Sequence, residues 1–166
     1  MTLSIYSASV PVFTRLLTNL LAILEKAEAY AKERKIDLDY LLNDRLAPDM
    51  FSLKRQVQNA TDHAKIAVSR LAGRPAPSWP DTEATFDELK ARVQKALDYL
   101  KTFSEADLAG ADDKDVPVRI NGEERTLKGD AYFLGRALPN FYFHLTTAYA
   151  ILRKNGVPIG KGDYLG

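Results

Sequence analysis

The chain has 166 residues, enough for one domain with a sizeable core, and its 46% hydrophobic and 27% charged composition is that of a soluble globular protein. A formal net charge of +1 excludes a dedicated nucleic-acid binder, which needs a basic surface to displace counterions. The absence of cysteine excludes disulfides, thiolate zinc sites and thiol nucleophiles.

The N-terminal stretch MTLSIYSASVPVF lacks the basic and apolar regions of a signal peptide. Apolar runs are interrupted by Arg, Asn or Lys short of membrane-spanning length. The expected location is the cytoplasm, with neither membrane nor nucleic acid as partner. A first helix is predicted over about 9–35, with Ser9 or Val10 as N-cap and Pro11 in the first turn. Leu16, Leu20, Ile23, Leu24 and Ala27 recur at spacings of three and four, which lines one helical face. The densest basic run, AKERK at 31–35, carries its own Glu33 and reads as a solvated helix end. IDLDYLLNDR reads as a short helical turn or two, and Pro48 breaks the chain.

A second helix is predicted over 49–71 on a stripe of Leu53, Val57, Ala60, Ala64, Ala67 and Leu71, mostly small residues that admit a close neighbour. Gly73 ends it. GRPAPSWP is a stiff connector whose Trp79 is expected to plug the end of the core. A third helix, over 84–103, opens on Thr85 and Glu88, a capping-box spacing, although Asp81 could cap an earlier start. SEADLAGAD is a polar connection with one helical turn. Asn121-Gly122 between VPVRI and EERTL then predicts a β-hairpin over 116–127, because a type I′ turn needs positive φ at both central residues. Pro117 keeps its first strand at an edge. A short helix up to about Ala137, a kink at Pro139 and a main helix over 139–154 follow, with Gly156 as stop. The tail VPIGKGDYLG is expected to be extended. These elements define an all-α domain over 1–166: a four-helix bundle with a small β-hairpin before the last helix, its connections too long to assure a plain up-down order.

The chain's two histidines lie at the borders of apolar stripes. His63, with Gln56, edges the second helix. His144 edges the last helix beside Phe141, Leu145, Ala148 and Leu152, and Asn140 lies one turn before it. Histidines at two such borders can converge on one pocket between helices, the place where bundles put metals and ligands. A histidine at a stripe border is more often a hydrogen-bonded packing residue. Asp62 points about 100° away from His63 on the helix and does not orient it. Glycine-rich phosphate loops, His-Glu-x-x-His and the nucleophile elbow are absent.

SASVPVFTRLLTNLLAIL, RLAPDMFSLKRQVQNATDHAK, LPNFYFHLTTAYAILRKNGVPIGK and the closing DYLG resemble an uncharacterised bacterial group within the DinB-like superfamily, over essentially the whole chain. The resemblance implies a DinB-like four-helix bundle, often a homodimer. In its metal-binding members one His of the second helix and a His-x-x-x-His of the last helix hold a divalent metal such as zinc or nickel in an open site. Some members use that metal for transfer of a thiol cofactor, isomerisation or hydrolysis. His63 and His144 match two of the ligands, and Asn140 stands at the third. A neutral amide oxygen is a weak donor for zinc or nickel, so the implied metal site is weakened or degenerate. Two functions follow as expectations. One is a DinB-like protein with a metal or small-molecule site at His63, Asn140 and His144. The other is a non-catalytic dimeric bundle with a binding or stress-related accessory role. Tyr142, Phe143 and Tyr149 lie off the main stripe, where they serve a dimer face or cover the hairpin.

Overall fold

The computed structural model describes residues 4–166. The first long helix, α1 (Ile5–Arg34), begins four residues before the expected start. Ser4 and Ser7 cap it reciprocally, each backbone N–H donating to the other's hydroxyl at 3.1 Å. This local pair outcompetes Ser9, whose hydroxyl instead turns back onto the Ile5 carbonyl at 2.6 Å. Pro11 therefore lies inside the helix. It withholds a hydrogen bond from the carbonyl of Ser7, a solvent-exposed residue that water can satisfy. At the other end Lys35 closes the helix in the left-handed conformation, φ 57°.

The short helix α2 (Leu38–Asn43) follows, capped by the Asp37 carboxylate. Residues 47–50 form a tight turn and not the expected helix start, with the Arg45 guanidinium holding the Met50 carbonyl at 2.6 Å. Helix α3 (Leu53–Ala72) then buries the whole predicted stripe from Leu53 to Leu71. Gly73 closes it at φ 70°. Helix α4 (Phe86–Leu100) starts at the Thr85–Glu88 capping box and buries Phe86, Leu89, Val93, Ala96, Leu97 and Leu100.

The connector between α3 and α4 is held by charge. Arg92 of α4 is buried and reaches Asp81 at 3.0 Å, Glu83 at 3.0 Å and Asp62 at 3.1 Å. Its Nη2 lies within ion-pair range of Asp62 and Asp81 without meeting hydrogen-bond geometry. The charge contact is the binding interaction there, since Coulomb attraction tolerates angles that a hydrogen bond does not. Trp79 packs edge-on to Tyr99, with the Lys65 ammonium 4.2 Å from its ring centre.

A 3₁₀ turn at Glu105–Leu108 leads to strands β1 (Asp115–Ile120) and β2 (Glu123–Lys128), paired antiparallel with Ile120 opposite Glu123. Asn121 and Gly122 have φ of 52° and 86°, the pair of positive values that the turn requires. Val116 and Val118 face the core while Pro117 faces solvent. The last helical stretch is one continuous run and not a kinked pair: α5 (Gly129–Tyr132), a π turn (Phe133–Ala137) and α6 (Leu138–Lys154). Pro139 has no amide hydrogen for the carbonyl four residues back. The chain absorbs this by widening one turn, so the Leu138 N–H reaches the Phe133 carbonyl five residues away.

The tail also differs from the extended form expected. It folds into α7 (Lys161–Leu165) against α1. The Asp163 carboxylate accepts from the Gly160 N–H at 2.7 Å and pairs with Lys26, and Asn19 holds the Tyr164 carbonyl at 3.0 Å.

Helix α4 packs between α1 and α3, and α6 lies antiparallel to α3 and closes onto α1. Consecutive long helices α1 and α3 therefore sit diagonally and not as an up-down pair. Phe13, Phe133 and Phe141 fill the centre, with Phe13 and Phe141 rings 4.6 Å apart. One stretch of α1 is long and apolar enough, by length and composition, to cross a membrane. In this fold Leu16, Leu17, Leu20, Ile23, Leu24, Ala27 and Ala31 of α1 are buried against the other helices, whereas Ala22 and Ala29 face solvent.

Candidate functional site

The α3–α6 contact is the most extensive between helices, and a polar ladder runs along it. Gln56 and His144 face each other at one end, His63 and Asn140 lie in the middle, and Arg70 and Arg136 stand at the other. Helix spacing explains the order. On α3, Gln56, His63 and Arg70 are each seven residues apart, within about 20° of one face. On the opposing helix Arg136, Asn140 and His144 are spaced by four.

His144 is 7% exposed. Its Nδ1 lies 2.7 Å from Gln56 Oε1. The Gln56 amide nitrogen in turn donates to the Phe51 carbonyl at 3.2 Å, which turns the amide oxygen towards the ring. Nδ1 therefore carries the hydrogen, and Nε2 is left as an acceptor. Burial, then His63 and then Arg55 push the His144 pKa down to about 4, so the ring is neutral at pH 7. Burial also lowers the pKa of His63; Asp62 opposes that shift and Arg70 adds to it. Asp62 itself is committed elsewhere, to Lys65 at 2.7 Å and to Arg92.

The two imidazoles lie with centroids 5.2 Å apart and planes 11° apart. Two imidazoles bound to one ion at about 2.0–2.1 Å have a comparable separation. The spacing alone would admit an ion or a water between them. The donor set is the limiting feature. Asn140 gives one amide N–H to the Arg136 carbonyl at 2.7 Å, which leaves a neutral amide oxygen as the third donor. No group of three or more His, Asp or Glu side chains suited to a metal occurs among the described residues. Two imidazoles and an amide fall one strong ligand short of the three-ligand sets that hold zinc.

Beside His63 and Asn140 opens a pocket of about 280 Å³, walled by α3, β1 and the α5–α6 stretch. Arg70, Arg119, Tyr132 and Arg136 join the two sequence-derived residues in its lining. Sequence reasoning missed these four. Arg70 and Arg136 were within reach of it, because each repeats the face of a candidate residue, His63 or Asn140. The position of Arg119 depends on where the hairpin folds back, which no local pattern specifies.

A helical bundle with a hairpin before its last helix and two histidines across the α3–α6 seam defines a DinB-like architecture. The chain belongs to the DUF1993 family, a domain of unknown function, which matches residues 5–165. A solved structure of a DinB family member from Shewanella denitrificans is similar at 48% identity and a TM-score of 0.92, covering 97% of this chain and 91% of that one. No curated protein matches.

Proposed function

We propose that this DinB-like chain binds a small polar molecule in the α3–α6 seam against His63, Asn140 and His144, and holds a divalent metal such as zinc or nickel only weakly. The observation that supports this reading is the Gln56–His144 hydrogen bond of 2.7 Å. It fixes one tautomer and presents Nε2 of a neutral ring as an acceptor, with His63 beside it. Such a pair accepts hydrogen bonds from ligand hydroxyl or amide groups, and Asn140 adds an amide oxygen. With a pKa near 4 His144 is a poor general base at pH 7, so recognition suits it better than proton transfer.

Elemental analysis of protein purified without added metal tests this directly. The expected content is far below one equivalent of zinc or nickel per chain. A full equivalent, lost in His63→Ala and His144→Ala, would overturn the reading in favour of a metalloenzyme. The accessory-protein alternative draws on a different observation: Leu134 and Phe143 are 60% and 55% exposed, apolar surface that suits a partner chain.

A further inference from the structure

We propose that the pocket beside His63 and Asn140 is a receptor for a small organic dianion, carboxylate- or phosphate-bearing, held by Arg70, Arg119 and Arg136. The inference rests on the reading above, since the ligand would share His63 and Asn140. Arg70, Arg119 and Arg136 all line this pocket and no acidic residue does, although Glu124 joins Arg70 and Arg119 around the adjoining hollow. Elsewhere in the chain Arg55 and Arg92 pair with Asp81, Arg74 with Asp107 and Arg125 with Glu123, while Arg15, Arg45 and Arg153 hold backbone carbonyls. Arg70, Arg119 and Arg136 have no carboxylate partner among the described residues. Arg119 gives its Nε–H to the Gly122 carbonyl at 2.9 Å, which steadies the side chain and leaves its two terminal nitrogens available.

Three arginines around one pocket, none paired with a carboxylate, concentrate positive charge there, and an anion would offset it. The planar fork of arginine matches carboxylate and phosphate oxygens in pairs. The remaining lining suits the same ligand. Arg70 lies over the Tyr132 ring, 5.8 Å from its centre, and burial raises the Tyr132 pKa, so its phenol keeps the hydrogen to donate. His63 adds a neutral ring. A volume of about 280 Å³ is at the small end of ligand pockets and favours a compact metabolite over a nucleotide. The walls come from α3, from the last helical stretch and from the hairpin, so a bound dianion would join all three.

The test is calorimetric titration at constant ionic strength with succinate, with glycerol 3-phosphate and with glycerol as neutral control. At least one anion should bind while glycerol does not, and which one binds separates a carboxylate ligand from a phosphate ester. Arg70→Ala and Arg136→Ala should each weaken that binding about tenfold or more. Arg125→Ala, at a residue already paired with Glu123, should leave it within about twofold. Circular dichroism confirms that each variant folds, and Arg70→Lys, which keeps the charge without the fork, should recover part of the affinity. No binding of either anion up to about 10 mM, or equal binding by wild type and both alanine variants, would overturn the proposal. Imidazole ¹⁵N spectra recorded in the same titration separate it from the histidine reading. Anion binding that leaves both rings unmoved supports the arginine receptor and removes the shared site. Rings that respond to zinc while no anion binds do the reverse.

Discussion

His144 and Gln56 make the seam sensitive to pH and to single atoms. His144 titrates near 6.5 when unfolded and near 4 in the fold. Above pH 6.5 both states are neutral and the group contributes nothing to the pH dependence. Between pH 6.5 and 4 the unfolded chain binds a proton that the native chain refuses, so stability falls as pH falls. Between pH 7 and pH 5 the loss is of the order of 2 kcal/mol, and His63 adds in the same direction. Urea midpoints at pH 7 and pH 5 should show it, and His144→Gln should remove a large part; an unchanged pH difference in that variant would place the effect elsewhere. Gln56→Leu is the complementary change. It fills similar volume but leaves the Nδ1–H of a buried ring without an acceptor, at a cost of about 1–3 kcal/mol. The fixed tautomer should also be lost, visible as mixed imidazole ¹⁵N shifts.

The elements show where sequence patterns inform and where they stop. Stripes at spacings of three and four placed the four long helices, because apolar residues such as Leu20, Val57, Leu89 and Leu145 must all be buried. Asn121-Gly122 placed the hairpin, since few residues accept two successive positive φ values. The first N-cap was misplaced because Ser4–Ser7 and Ser9 offer similar local chemistry and only reciprocal geometry separates them. The α7 tail was missed because its helix depends on Lys26, Asn19 and Arg15 of α1, more than 130 residues away in the chain. At the site, the stripe borders indicated both histidines and Asn140, whereas the arginine wall needed the hairpin in place. Gly129, where β2 passes into α5, is another feature no pattern reveals. A Cβ there would stand 1.7 Å from the Ala111 carbonyl oxygen. Gly129→Ala must push two backbone segments apart, and we expect a loss above about 2 kcal/mol with the hairpin amides losing hydrogen-exchange protection first. Wild-type stability in that variant would show that the segment yields freely.

For the molecule as a whole we propose a homodimer. Tyr149 is spoken for, stacked edge-on to Tyr164 of α7 at 5.9 Å, so it covers the tail and not the hairpin. Tyr142 and Phe143 remain exposed on α6, with Leu134 on the preceding turn. Light scattering at micromolar concentration should report twice the 18.5 kDa chain mass, and Phe143→Asp should shift it towards the monomer. A wild-type monomer would reject the dimer. The π turn at Phe133–Ala137 sets a further whole-molecule property, the rotational phase between two halves. It holds one residue more than an α-helical turn of the same rise. Deleting a single residue there would restore regular spacing and swing everything before it by about 100° relative to α6. Tyr132 and the hairpin would then face away from α3, and the pocket would lose a wall although every lining residue was still present. The loop tip at Asn121-Gly122 has no such gearing. Residues added there lengthen a projection and rotate no helix, although they move the Gly122 carbonyl that steadies Arg119. Chain length is thus fixed at one point and free at another about ten residues away.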